Sequence, residues 1–530
     1  MGTESKAKYR LIAVVVWLII LTGVGAAYKY FLHPMLKGKI AGVTGSKSQY
    51  KQEIRIAADS FSGYAILRSP VMAEQLKQKG IKLTIIDDKA DYGARLKSCI
   101  DGKTHMSVFT IDSLITAGAK VKVGIEELPT IVSLIDESNK ADAIVAYKSA
   151  IANVQELNNP DVRFVLTPNS PSEFLPRIVL AHFNILSLPE KWWIEANGSA
   201  DVYKMFKSAD RSAKRAYAMW EPYVSMALQD PDAIVLVDSS KLRGYIFDVF
   251  CAHRKFLKEQ PELVKEVVED YLRAAYYYTQ DEKRLVQLVI DDAKKTGSEH
   301  LTEENAKNII NGIRWKNTLE NYAHFSLVKG QEKGLQNLED IITNIADVLV
   351  KTGAIKPEQD PVQGKAAMLF YDKTLASLQQ ENFHPGQKLS LINDLNIGAE
   401  LEDIRVNGEL PALSDEQWSR LVSVGQLRVK PISFLRGTSK ISIQSSRDLD
   451  ELVAHLKSWA QYYLIVTGHA RQEGDDAELN LELARERAEA AVAYLVSKGV
   501  TENKIKTKAE LSTGGGEAQS VSFVVGQLPY

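Results

Sequence analysis

An arginine held on a helix can take a carboxylate through two parallel N–H···O bonds, a geometry that the point charge of a lysine does not reproduce. Arg487 has such a setting. Gly468 and His469 stand at a strand end, Gly474 follows six residues after Gly468, and Asn480, Leu483, Arg487 and Ala488 run down the next helical pattern. Asp475 or Asp476 is placed to cap that helix, and Gly499 ends it as a C-terminal glycine should. A second group of polar residues lies where strand patterns give way to helical ones. These are Ser60, Ser62, Gly63 and Tyr64, then Thr110, Asp112 and Ser113, then Ser170, Ser172 and Glu173. Free backbone amides and the positive end of the helix dipole at such junctions hold anions or polar groups. At the third, Ser170 is the expected N-cap, Pro171 takes the first helical position, and Glu173 completes a capping box. One such junction alone is usually only a capped helix. Three in order suit a crevice at the carboxyl ends of strands.

The elements around these residues alternate. Strands are expected at 53–58, 81–87, 105–110, 141–147, 162–167 and 233–238, with helices between them, which is an α/β pattern. Beyond Asp248 the chain reads as mostly helical to about Val350. The stretch from Thr352 to about Leu427 mixes short helices with turns such as KPEQDP and reads as a connector. From Val429 a strand ISF, a helix with Leu449, Leu452 and Leu456 on one face, the buried strand YYLIVTG, a second helix and two closing strands follow.

The order of the first set of segments is similar to that of the solute-binding proteins of the nitrate, sulfonate, taurine and thiamine-precursor transporters. The segments are SGYAILRSPVMAEQLKQKGI, LKSCIDGKTHMSVFTIDSLITAG, ADAIVAYKSAIANVQELNNP and AMWEPYVSMAL, with VDSSKLRGYIFDVFCAHRKFL after them. The resemblance covers about 300 residues. It implies a two-lobed, type II periplasmic-binding-protein-like domain over 52–351 that closes on a small polar ligand. The ligand-facing positions it implies are Ser60, Ser62, Gly63, Tyr64, Thr110, Asp112, Ser170, Ser172, Trp220 and Glu221. Trp220 and Tyr223 could line the cleft or pack beside the hinge. Asp112 and Glu221 are acidic and have no adjacent Arg or Lys, so a positive or neutral polar ligand is at least as consistent with these turns as an oxyanion. An enzyme of this fold group, a fungal thiamine-pyrimidine synthase, uses a cysteine-rich loop that this chain lacks.

The residues from 429 to 530 resemble the OmpA-like peptidoglycan-binding family, an α/β sandwich in the order βαβαββ. The spacing of Gly468, His469, Gly474, Asn480, Leu483, Arg487 and Ala488 carries the resemblance. It implies a peptidoglycan site at His469, Asp475, Asn480, Leu483 and Arg487. In the family an Asp just after the Gly-His and the helix Arg hold the two charged ends of the wall's diamino acid. Here the Asp position is Arg471, and Ala518, Gln519 and Ser520 replace the usual Asn-Arg-Arg. Asp475 or Asp476 is the available substitute for the missing acid.

The N-terminus places both modules. Residues 1–10 are polar and basic. Leu11 to Ala27 contains no charge, and the apolar stretch to Phe31 approaches the length that crosses a bilayer. Lys6, Lys8 and Arg10 keep the preceding residues in the cytoplasm, so the rest faces the periplasm. A cleaved signal peptide ending near Gly25 is the other reading, and the length of the run favours an anchor over 11–31. A linker follows over 32–51, and 352–428 connects the two folded modules. Leu11 to Ala27 carries no acidic or basic residue, which argues against an ion-driven motor.

Composition excludes several classes. A net charge of −2 gives no electrostatic case for nucleic acid. Cys99 and Cys251 are the two cysteines, read as buried thiols rather than a disulfide. No GxSxG, HExxH or P-loop string occurs, and nine histidines are scattered singly. No catalytic residue, metal site or cofactor is expected. The expected partners are peptidoglycan, a small polar ligand, the inner membrane and a membrane permease or envelope complex. The rival reading is a non-catalytic envelope scaffold in which both modules serve assembly.

Overall fold

The computed structural model describes residues 50–296, 301–329, 335–387, 401–405, 410–435, 438–459, 461–471, 477–512 and 520–528. The expected span at 11–31 and most of the linker lie outside them. No helix among the described residues is long and apolar enough to cross a membrane. Two compact units are distinguished, Met1–Ile54 with Ala73–Thr84, and Arg55–Met72 with Ile85–Tyr530. In the first, Lys82 meets Glu53 at 3.0 Å and the chain turns at Gly80, where φ is +76°. The residues of the candidate sites described below belong to the second.

Fifteen strands form three sheets among the described residues. The first sheet is ordered β11-β4-β10-β3-β1-β2. Its strands are β1 (Gln52–Ala58), β2 (Ile81–Asp87), β3 (Met106–Thr110), β4 (Thr130–Ser138), β10 (Phe247–Ala252) and β11 (Ile313–Trp315). The second, β7-β6-β8-β5-β9, comprises β5 (Asp142–Tyr147), β6 (Arg163–Leu166), β7 (Trp193–Glu195), β8 (Arg215–Trp220) and β9 (Ala233–Asp238). β3, β4, β5 and β10 are buried at every position, which is why they lack the regular alternation of apolar and polar residues that a half-exposed strand shows. Six strands fall where the sequence places them. β10 corrects the expectation that the chain turns helical beyond Asp248. It runs antiparallel to both β3 and β4, and helices resume only at Arg254.

The chain therefore leaves the first sheet after β4, builds the second lobe, and returns after β9. The two crossovers are laced together. Ser138 Oγ lies 2.8 Å from Ser239 Oγ and donates to Asp142 Oδ2 at 2.5 Å, while the Lys140 amide donates to Ser239 Oγ at 2.9 Å. Helices flank the sheets. Those used here are α1 (Tyr92–Ile100), α2 (Ile111–Val121), α3 (Pro171–His182), α4 (Glu303–Gly312) and α5 (Thr318–His324). Gly312 ends α4 against the first crossover, where an added Cβ would sit 3.0 Å from the Ala141 backbone.

The connector is more ordered than its composition suggests. Thr130 Oγ1 donates to the Leu369 carbonyl at 3.1 Å, and the Tyr371 amide donates to the Ile131 carbonyl at 2.8 Å, so its first part packs on the first lobe. Its last part, β12 (Val422–Gln426), belongs to the third sheet, β12-β15-β13-β14, with β13 (Tyr463–Arg471), β14 (Ile505–Ser512) and β15 (Val521–Gln527). Helices α6 (Ile443–Ser458) and α7 (Ala477–Ser497) complete the βαβαββ order. The first strand is thus β12 and not the expected ISF, where Pro431 has no N–H to give a ladder and Phe434 bridges only Ile441. This third sheet packs on the second lobe. Phe183 stacks on Trp459 at 5.9 Å, His182 lies edge-on to Trp459 at 4.8 Å, and Gln155 donates to Ser423 Oγ at 2.7 Å.

Behind the first crossover lies a buried ion network. Lys316 meets Glu137 at 2.5 Å, and Glu320, wholly buried, takes Arg314 and Arg405 at 2.7 Å each. Burial alone would raise the Glu320 carboxyl, but Lys316, Arg405 and Arg314 reverse this and hold it at about 2. Its stabilising effect is complete above the ordinary carboxylate range and is lost as pH falls toward 2. Glu320→Ala leaves Arg314 and Arg405 without this carboxylate and should cost about 3–5 kcal/mol in urea unfolding at pH 7, with the gap narrowing below pH 4.

Candidate functional site

Between the lobes lies a cavity of about 830 Å³, within the range that takes small ligands. Its floor on the first lobe comes from strand ends. Thr110, Asp248 and Asp136 are direct cross-strand neighbours on β3, β10 and β4, so their side chains share one face. Asp59 follows β1, and Tyr64 sits in a 3-10 turn at Ser62–Ala65. On the second lobe, Ser170 caps α3, and Trp220 and Glu221 lie at the end of β8.

Of the ten residues expected to face ligand, Ser60, Ser62, Tyr64, Thr110, Ser170, Trp220 and Glu221 line the cavity. Gly63, Asp112 and Ser172 do not. The Gly63 carbonyl accepts from Trp315 Nε1 at 3.0 Å. Ser172 donates to the Ala218 carbonyl at 2.5 Å, tying α3 to β8. Asp112 is buried in the first turn of α2, and burial pushes its carboxyl up to about 8. Glu173 does not close the expected capping box on Ser170. It accepts instead from the Asn169 amide at 2.6 Å and from Arg177 at 2.8 Å.

Sequence reasoning missed the acids that dominate the cavity: Asp59, Asp136, Asp142 and Asp248. The available signal was an acid inside or at the end of an apolar run, as in TIVSLIDES and GYIFDVFCA. Asp59 is neutralised by Arg95 at 2.8 Å, and Arg95 also pairs with Asp88. The others have no such partner. Asp136, Asp142, Asp248 and Glu221 form no ion pair with Lys or Arg among the described residues. Asp142 takes its bond from Ser138, Glu221 takes Ser225 Oγ at 2.8 Å, and Tyr64 donates its hydroxyl to Asp248. Burial is the main cause that raises all four. Asp248 rises to about 7 and Asp142 to about 6, while Asp136 rises further with Asp248 beside it. Asp136 is 1% exposed, and its Oδ2 has no hydrogen-bond partner.

The second candidate region is built by close packing. A Cβ on Gly468 would lie 1.9 Å from the Ala484 carbonyl oxygen, so only glycine lets α7 rest on β13 at this point. That approach sets His469 beside the helix that carries Leu483 and Arg487. His469 Nε2 lies 2.7 Å from Ser522 Oγ, and its amide donates to the Ser520 carbonyl at 2.9 Å. Arg487 is 6% exposed; its guanidinium lies 5.2 Å from the centre of the Phe434 ring, and its Nε has no hydrogen-bond partner among the described residues. Burial lowers its proton affinity. Asn480 and Leu483 are half-buried on the same helix. Asp475 lies outside the described residues.

Residues 433–521 match the OmpA family. They form an OmpA-family domain. Over 105 residues the chain is 33% identical to the peptidoglycan-associated lipoprotein of Mesorhizobium japonicum, a match that covers 20% of this chain and 60% of the lipoprotein. The chain therefore spans less than two thirds of that relative. The remainder has structural neighbours among periplasmic solute-binding proteins. The alkanesulfonate-binding protein SsuA of Xanthomonas axonopodis pv. citri, bound to MOPS, is 15% identical and covers 60% of this chain and 98% of its own, with a TM-score of 0.45. The aliphatic sulphonate-binding SsuA of Escherichia coli is 19% identical over 59% and 96%, at 0.44. The nitrate-binding NrtA of Synechocystis is 12% identical over 62% and 88%, at 0.45.

Two substitutions test this geometry. Asp248→Asn removes a carboxyl raised to about 7, whose contribution is present below the ordinary carboxylate range and lost as pH rises toward 7. The variant should therefore exceed the wild type by roughly 1–3 kcal/mol in unfolding free energy at pH 8 and show no such gain at pH 4. Gly468→Ala should destabilise the OmpA-family domain by about 2 kcal/mol or more, read as an earlier unfolding transition.

Proposed function

We propose that this protein is a periplasm-facing solute-binding protein, anchored in the inner membrane by residues 11–31 and attached to peptidoglycan by its OmpA-family domain. One observation carries the reading: a two-lobed cleft with polar groups from both sides and an OmpA-family domain occupy one chain. The first lobe contributes Ser60, Ser62, Tyr64 and Thr110, and the second Ser170, Trp220 and Glu221. A ligand held by both sets stabilises the closed arrangement of the lobes and can report capture to a permease or envelope partner. No catalytic step is assigned.

At the other end Arg487 is a buried cation whose Nε has no partner among the described residues, which suits a carboxylate of the wall peptide. Asp475 is the candidate for the amine end, with His469, Asn480 and Leu483 shaping the site.

The packing of Phe434 over Arg487 and of Trp459 on His182 favours a second reading, an envelope scaffold in which both modules serve assembly.

Co-sedimentation of the full-length chain with purified peptidoglycan separates the two. Wild type should pellet, and Arg487→Ala should remain in the supernatant with at least about a tenfold loss of affinity, as expected when a buried charge pair is broken. Equal retention in the supernatant of both proteins would overturn wall attachment and favour the scaffold.

A further inference from the structure

The acids of the cleft point to a narrower ligand class, and this step rests on the solute-binding reading above. Four carboxylates line the cavity without a cationic partner among the described residues: Asp136, Asp142, Asp248 and Glu221. An acidic cluster alone selects nothing, but Asp136 adds an independent observation. It is 1% exposed, lines the cavity, and leaves Oδ2 without any hydrogen-bond partner. A buried acceptor left unmade is costly unless something outside the chain supplies a donor.

The cations of the same cavity are already engaged or peripheral. Lys120 donates to Asn169 and Lys89 is exposed, while Arg95, outside the lining, is held by Asp59 and Asp88. Among the described residues that line the cavity, no buried Arg or Lys is therefore free to meet an oxyanion. A metal ion does not suit the site either. Among the described residues no group of three His, Cys, Asp or Glu side chains converges closely enough to hold one. The walls are aromatic, with Tyr64, Tyr92, Trp220 and Tyr223 around the acids. Ring faces attract organic cations and cover their carbon bodies.

We propose that the cleft takes an organic cation, an amine or ammonium compound, with its positive group against Asp136 and Asp248 and its carbon body against Tyr64, Tyr92, Trp220 and Tyr223. In the empty cleft burial makes the Asp136–Asp248 pair hold its proton to higher pH than ordinary carboxyls do. An arriving cation supplies the missing charge, so binding releases a proton and tightens as pH rises from 6 to 8. The groups facing that pair are Tyr64, Tyr92, Tyr271, Asp59 with Arg95, Asp112, Asp142, and Lys316 behind it.

The test is thermal unfolding of the full-length protein at pH 8 and constant ionic strength, in two arms. One arm holds putrescine, spermidine, agmatine, benzylamine and choline; the other holds nitrate and methanesulfonate. At least one cation should raise Tm with concentration, and neither anion should. Asp136→Asn should weaken that cation by about thirtyfold or more without lowering the Tm of the unliganded protein. If Asp136→Asn does not fold, Glu221→Gln, at a half-buried position, should still weaken it by about threefold. Stabilisation by an anion alone would overturn the cation assignment and leave the solute-binding reading standing. Stabilisation by neither arm would overturn both. A cation response unchanged in both variants would place the ligand elsewhere and overturn this seat.

Discussion

The return of the chain into the first sheet is the constraint on which the rest depends. After building the second lobe, residues 247–252 insert between β3 and β4 and pair antiparallel with both. This insertion closes the first lobe around a strand that arrives from the second, so neither lobe is complete without both crossovers. It also decides the chemistry of the cleft. The register sets Asp248 directly opposite Thr110 on one side and Asp136 on the other. Two acids far apart in sequence become side-by-side carboxylates because one strand is threaded there.

Such a pair is expensive. A carboxylate pair in a dry site cannot ionise fully, and each member resists losing its proton while the other is charged. The surrounding structure could have offset this with a guanidinium, as it does for Asp59 through Arg95. It does so again at Glu320, which Lys316, Arg314 and Arg405 hold near 2. The contrast is informative because both regions use the same materials, β4 and the segment around β11. Glu137 and Asp136 are adjacent in sequence and point to opposite faces of β4. Glu137 faces the network and meets Lys316. Asp136 faces the cavity and forms no ion pair with Lys or Arg among the described residues. The deficit in the cleft is therefore local and one-sided.

Legibility from sequence followed the same physics. Strands with strong apolar runs and clear turns, such as Ile81–Asp87 and Ala233–Asp238, lie where the pattern places them. So does the cap at Ser170 and the C-terminal glycine at Gly499, where φ is +95°. β10 was hidden because FDVFCA runs straight into helical patterns and its partners are more than a hundred residues away in sequence. β12 was hidden because VSVGQ is short and gains its place only from β15. The junction residues were found by local capping chemistry, which is visible within four residues. The acids were not, since an Asp in an apolar strand acquires meaning only from its lateral neighbours. Conversely, Ser172 and Gly63 carry the signature of a ligand turn yet serve packing, a distinction that local sequence does not hold.

The OmpA-family domain shows the same dependence on close backbone approach. Gly468 admits the Ala484 carbonyl, and any side chain there would lift α7 from β13. Arg487 lies about one turn further along α7 and is 6% exposed. A buried guanidinium without a carboxylate is poorly solvated, and the ring of Phe434 at 5.2 Å restores part of the lost interaction. The ring replaces only part, because a ring face accepts no directed pair of N–H bonds and a carboxylate accepts two. An anion that displaces Phe434 exchanges a weak, undirected contact for a bidentate one, and the burial of Arg487 makes that exchange favourable.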